Sequence, residues 1–260
     1  MSLGEIYRNP KIAYYNELFE ELRFTDWETL GRTKDCLEGI VSNEFVGNDP
    51  LMKLIGSSAT GTMRKGHEDL DYAVAFQTKI ENEDFIKKIH RTGLDLTEIN
   101  QNKAHGYVRV CGKFQGYNFV LVPMVNPNGQ VQAYEQDAFY QSDFINLNKI
   151  DNHAYTVILL KEFFEQIGVY KQVKGISCEM MSLYFRDFDS CINHLANDDS
   201  LRINFSQNAD IYTNNPLVID YPFLGRRSFT DKITPSIYGH IQDSARYIIE
   251  DYKMLGSQNK

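Results

Sequence analysis

Apolar residues along the chain change period more than once, and the changes mark the elements. Ile12, Tyr15, Leu18, Phe19 and Leu22 fall at helical spacing. They follow Asn9-Pro10, where Asn9 can cap a helix and Pro10 suits its first position. Thr25 and Glu28 have the spacing of a capping box, which predicts a second helix ending near Val41. After the turn signal Asn48-Asp49-Pro50 the pattern shortens, and residues 51–55 form an apolar run that stops at Gly56. Residues 70–76 alternate strictly: Leu70, Tyr72, Val74 and Phe76 share one face, and Asp71, Ala73 and Ala75 share the other. Asn82 can cap a short helix holding Phe85, Ile86 and Ile89, and strands are predicted at 94–99, 107–111 and 117–122.

From about Asp137 the helical period takes over, most strongly at 155–164, again from Ser177 to Phe185, and last at 236–254. Residues 198–230 are rich in turn signals, including Asn214-Asn215-Pro216 and Tyr221-Pro222. The order of strand, strand, helix, more strands, then helices predicts an α+β protein with a mixed sheet and helices on one side. Its expected parts are N-terminal helices at 1–44 packing on the helical domain, a sheet domain at 45–135 and a helical domain at 136–260.

Composition narrows the partners. With 260 residues the chain can bury a large core unaided. A net charge of −8 sets the overall field against long nucleic acids, because phosphate neutralisation drives that binding. Cys36, Cys111, Cys178 and Cys191 make no CxxC pair and read as buried thiols in a reducing compartment. The N-terminus has no apolar leader, and no run approaches the roughly 20 apolar residues that span a bilayer, so a cytoplasmic location and no membrane partner are expected.

One stretch carries chemistry: Gly56-Ser57-Ser58-Ala59-Thr60-Gly61-Thr62, followed by Asp69-Leu70-Asp71. Gly56 lets the backbone approach a ligand closely, and the Ser57 and Ser58 hydroxyls can donate to phosphate oxygens. Asp69 and Asp71 stand two apart at the start of a strand, so both carboxylates share a face. Two neighbouring carboxylates repel unless a cation lies between them. Hard oxygens suit Mg²⁺ (or Mn²⁺), which takes one or two protein carboxylates and completes its shell with substrate phosphates.

In this order the residues resemble the signature of the polymerase-beta-type nucleotidyltransferases. Leu159-Leu160-Lys161, Ile167-Gly168-Val169-Tyr170, Lys174-Gly175-Ile176-Ser177 and Glu179-Met180-Met181 are similar to the neck region of archaeal-type CCA-adding enzymes, an architecture shared with oligoadenylate synthetases and bacterial cyclic-oligonucleotide synthases. Phe119-Val120-Leu121-Val122-Pro123 resembles their third catalytic strand, and residues 216–222 resemble a late motif. The resemblance covers about residues 50–225. It implies a nucleotidyltransferase palm and a Mg²⁺-dependent transfer of a nucleoside monophosphate from an NTP, ATP foremost, to an acceptor hydroxyl with release of pyrophosphate. It implies that Asp69 and Asp71 hold the metal, that Ser57 meets a phosphate, and that Lys161 and Tyr170 reach the triphosphate from the helical half. The nucleotide is expected between the two domains.

Two departures stand out. The third aspartate of the family falls at Val120 here, and Asn118 is the nearest oxygen on that face, with Glu98 and Asp137 the other candidates to fold in. The loop arginine before the second glycine is Thr60. A catalytically impaired nucleotide-binding protein is therefore the alternative reading. The acceptor is expected to be a small molecule, a nucleotide or a protein. Whole tRNA is disfavoured, since the family's tRNA-adding members use further domains beyond the neck. Arg226, Arg227 and Lys232 form a local basic cluster, and His67 precedes the aspartates.

Overall fold

The computed structural model describes residues 10–102, 107–125, 134–205, 215–219, 230 and 232–257. The chain folds as two compact units, one comprising Phe24–Leu147 and the other Met1–Arg23 with Asn148–Lys260. The second unit thus takes the first helix from the N-terminus, α1 (Pro10–Leu22), while α2 (Trp27–Glu44) belongs with the sheet. This differs from the expected boundaries at 44/45 and 135/136. The reason is the apolar stripe of α2: Leu30, Leu37 and Val41, followed by Phe45, are buried in the sheet's own core.

In the sheet unit, β1 (Leu51–Ile55) leads into the single turn α3 (Gly56–Thr60), then β2 (Asp69–Phe76), α4 (Asn82–Arg91), β3 (Asp95–Asn102), β4 (Tyr107–Phe114), β5 (Tyr117–Val125) and α5 (Tyr134–Asn148). The strands form one mixed sheet in the order β1-β2-β5-β4-β3, with β2 and β5 parallel and the other pairs antiparallel. Alternation decides the layers. Leu70, Tyr72, Val74 and Phe76 of β2 join Phe119 and Leu121 of β5 under α2 and α4, whose Phe85 and Ile89 are fully buried. Each such side chain contributes roughly 1.5–3 kcal/mol by leaving water. On the opposite face Ala73, Ala75 and Met124 pack with Ile55 and with Tyr140 of α5. That helix is tied to β1 by Lys53 and Asp143 at 2.5 Å, and to α3 by Asn146, whose Nδ2 donates to the Ala59 carbonyl at 3.2 Å.

Two caps differ from expectation. Asp26, not Thr25, caps α2 and accepts from the Thr29 N–H at 3.3 Å. Asn82 is the first residue of α4 rather than its cap.

The other unit is helical: α1 with α6 (His153–Gln166), α7 (Tyr170–Val173), α8 (Gly175–Phe185), α9 (Phe188–Asn197) and α10 (Pro235–Ser257), together with two short parallel strands, β6 (Leu201–Ile203) and β7 (Leu217–Ile219). These strands lie in the stretch read as turns. The α6 helix is buried on nearly all sides from Thr156 to Phe164, which marks it as the unit's central helix. The α1 helix docks on this unit through aromatic contacts, Tyr15 edge-on to Phe188 and Phe19 against Tyr155. Asn9, His105, Asn214, Asp220, Tyr221, Pro222, Arg226 and Arg227 lie outside the described residues. Among the described residues no helix is long and apolar enough to cross a membrane.

Candidate functional site

Pairing across the sheet places the acids. Asp71 stands in register with Ile55 on one side and Val120 on the other, and the row continues through Cys111 to Glu98. Asp69 stands beside Asn118, whose Nδ2 donates to Asp69 Oδ1 at 3.0 Å. Because Leu70 between them points into the core, both carboxylates project from the opposite face, half-buried. Glu98 lies two strands beyond Val120. At about 4.8 Å per strand it sits roughly 10 Å away and does not fill the place of the missing acid. Asp137 falls on α5, where its side chain is outside the described residues.

The glycine turn meets Asp71 directly. Gly56 has φ +68°, and a Cβ built on it would lie 2.9 Å from Asp71 Oδ2. The residue must be glycine for two reasons: the backbone is left-handed, and the carboxylate occupies the side-chain space. The turn after it closes at Gly61, φ +80°, with the Gly61 and Thr62 N–H groups donating to the Ser57 carbonyl at 3.1 and 3.0 Å. Its hydroxyls divide. Ser58 is buried and donates to the Ile55 carbonyl at 3.2 Å, so this side chain braces the turn rather than presenting itself to a phosphate. Thr60 is likewise buried and donates to the Gly56 carbonyl at 3.3 Å. Ser57 is half-exposed and leaves Ser58 as the inward partner of the pair.

Cys111 was not singled out by the sequence. It sits beside Val120 in the same row. Burial pushes its thiol above the ordinary value, Arg109 pulls it back, and Glu98, Asp71 and Asp69 push it further up. Only the strand register exposes this neighbourhood. Among the described residues no group of three or more His, Cys, Asp and Glu side chains is gathered as a metal site. Two carboxylates on one face, one of them set close against the Gly56 backbone, nevertheless fit a hard cation that takes most of its shell from phosphate and water.

In the helical unit, Lys161 of α6 and Tyr170 of α7 come together at Gly175. A Cβ there would lie 3.0 Å from Tyr170 Oη and 3.4 Å from Lys161 Cε. Lys161 is buried and its Nζ lies 3.9 Å from Glu179 Oε1.

Comparison with known proteins extends this picture. No family model matches the chain. Curated relatives include CCA-adding enzymes of Haloarcula marismortui (23% identical over 206 residues, 76% of this chain and 44% of that protein) and Methanosarcina barkeri (25% over 192 residues, 68% and 42%). Solved structures similar to it include E. coli MS115-1 CdnC in a complex with HORMA-deltaN (TM-score 0.66, 16% identity, 94% of this chain and 90% of that one) and Cid1 poly(U) polymerase bound to Mg and 3′-dATP (TM-score 0.65, 12% identity, 90% and 92%). These likenesses support the polymerase-beta-type nucleotidyltransferase superfamily.

The five-stranded sheet has the palm fold of these nucleotidyltransferases, and Asp69 and Asp71 share one of its faces. The chain spans less than half the length of the curated relatives named here. The expectation against whole tRNA is not borne out, since those relatives are CCA-adding enzymes.

Proposed function

We propose that this chain is a metal-dependent nucleotidyltransferase that moves a nucleoside monophosphate from an NTP, ATP foremost, to an acceptor hydroxyl. The acceptor oxygen would form a bond to the α-phosphorus as the bond to the bridging oxygen breaks, releasing pyrophosphate and a proton. The observation that carries this reading is Asp69 and Asp71 on one sheet face, with Asp71 Oδ2 in the space that a side chain at Gly56 would take. These carboxylates would hold a divalent ion, which supplies charge neutralisation at the triphosphate. Asn118 fixes the orientation of Asp69. Ser57 would donate to a phosphate oxygen, as would the Lys161 ammonium and the Tyr170 hydroxyl. Most of the rate would come from positioning and electrostatics, as in phosphoryl transfer generally. The test is pyrophosphate release with each NTP and Mg²⁺ or Mn²⁺, using small hydroxyl compounds, nucleotides, proteins and tRNA as acceptors. Asp69→Asn with Asp71→Asn should abolish it, and unchanged activity would refute the proposal.

A second reading is favoured by Val120. This apolar residue stands in register with Asp71 and Cys111, so the attacking side of the site has one ligand fewer. In that reading the chain binds nucleotide as a sensor or interaction protein without turning it over. Calorimetry showing Mg²⁺-dependent ATP binding without product would support it, and turnover gained in Val120→Asp would confirm that the third acid is what is missing.

A further inference from the structure

The helical unit holds a row of polar side chains in its interior. His153 and Lys161 come from α6, and Glu179 and Ser182 come from one face of α8. His153 Nε2 lies 2.7 Å from Glu179 Oε2, and Ser182 Oγ lies 3.0 Å from His153 Nδ1. The other carboxylate oxygen, Glu179 Oε1, faces Lys161 Nζ at 3.9 Å. All four residues are buried, with Ser182 at 0% and His153 at 1% exposure. A serine, a histidine and a glutamate in sequence have the outline of a hydrolytic triad. Ser182 is wholly enclosed and its hydroxyl is taken up by His153, which excludes that use.

The spacing has a different logic. A buried ammonium needs a counter-charge, since leaving it alone in low dielectric is strongly unfavourable. Glu179 supplies one, but at 3.9 Å the pair is held by charge rather than by a short hydrogen bond. The short bond of the carboxylate goes to His153 instead. With Nε2–H donating to Glu179, Nδ1 accepts from the Ser182 hydroxyl, so one tautomer satisfies both neighbours. Glu179 is thereby anchored from behind. Lys174, between Tyr170 and Gly175, has φ +67° and ψ 153°, a backbone region that is essentially glycine's own. Across this residue Tyr170 Oη comes against Gly175, next to Lys161.

We propose that Glu179, anchored by His153 and Ser182, is a positioning residue that holds the Lys161 ammonium charged and aimed for a nucleotide phosphate. This rests on the reading of Lys161 as a phosphate contact. The experiment is calorimetric titration of the full chain with ATP and Mg²⁺, with thermal melts of every variant. Lys161→Ala should weaken ATP binding by about tenfold to a hundredfold, the worth of a charge-assisted hydrogen bond. Glu179→Gln should weaken it about tenfold. In the Lys161→Ala background, Glu179→Gln should add no more than about a further twofold, because it acts through the ammonium. His153→Gln, which leaves the counter-charge in place, should weaken binding in the same direction and should also lose its effect without Lys161. It keeps the test alive should Glu179→Gln fail to fold. Full additivity of Glu179→Gln or His153→Gln with Lys161→Ala would overturn the proposal. Unaltered binding in Lys161→Ala would instead remove the underlying reading of Lys161.

Discussion

Substituting Gly56 by alanine separates two effects that the structure places at one atom. A Cβ in left-handed backbone costs about 1–2 kcal/mol, and φ is +68° at Gly56 and +80° at Gly61. Gly61→Ala has open space around its new methyl group, with nothing within 4 Å. It should therefore show the backbone cost alone, a melting temperature lower by about 2–4 °C per kcal/mol. Gly56→Ala carries the same cost and in addition brings its methyl group to 2.9 Å from Asp71 Oδ2. Something must move, and the carboxylate end is the easier part to swing. A carboxylate swung out of place loses a charge-assisted contact worth about 1.5–3 kcal/mol, roughly tenfold to a hundredfold in affinity. Mg²⁺-dependent ATP affinity, read by calorimetry, should fall at least about tenfold further in Gly56→Ala than in Gly61→Ala, although the two melt alike. Equal affinity in the two variants would refute the assignment of Gly56 as the residue that makes room for Asp71.

Lys174→Gly should raise stability by about 1 kcal/mol, since relief of strain worth roughly 1–3 kcal/mol outweighs the 0.5–1 kcal/mol entropic cost of glycine; denaturant midpoints would show it, and a loss of stability would speak against the strained conformation. Tyr238 is buried, donates to the Asp198 carbonyl at 3.0 Å, and has its phenol pushed up to about 12, first by burial and then by Asp198 and Asp199. Because the folded value lies above the ordinary value of 10, its contribution is fully present below pH 10 and is lost as pH rises toward 12. Tyr238→Phe should flatten the fall in melting temperature across that window. Exposed Cys36 should react with iodoacetamide well before Cys111, whose raised thiol carries little thiolate, and raising the pH should speed Cys111; labelling with peptide mapping measures both.

Local patterns carried far. Alternation at residues 70–76 put Leu70, Tyr72, Val74 and Phe76 in the core and Asp71 on the opposite face, because side chains on a strand alternate whatever the strand pairs with. The same period placed Asn118 and Val120 on one face. The Gly-Ser and Asp-x-Asp segments were legible because they are contiguous. Non-contiguous facts were not. The stripe of α2 looks the same whether it packs on a sheet or a bundle, so its unit came only from the fold. Ser57 and Ser58 are chemically identical, and only the course of the turn sends the Ser58 hydroxyl back to Ile55. Cys111 lies beside Val120 because β4 pairs with β5 in one register, and His153 meets Glu179 because α6 packs on α8. Propensity and period act over a few residues and are written in the chain itself. Register and packing are fixed by burial between distant segments, which becomes visible only once the chain has folded.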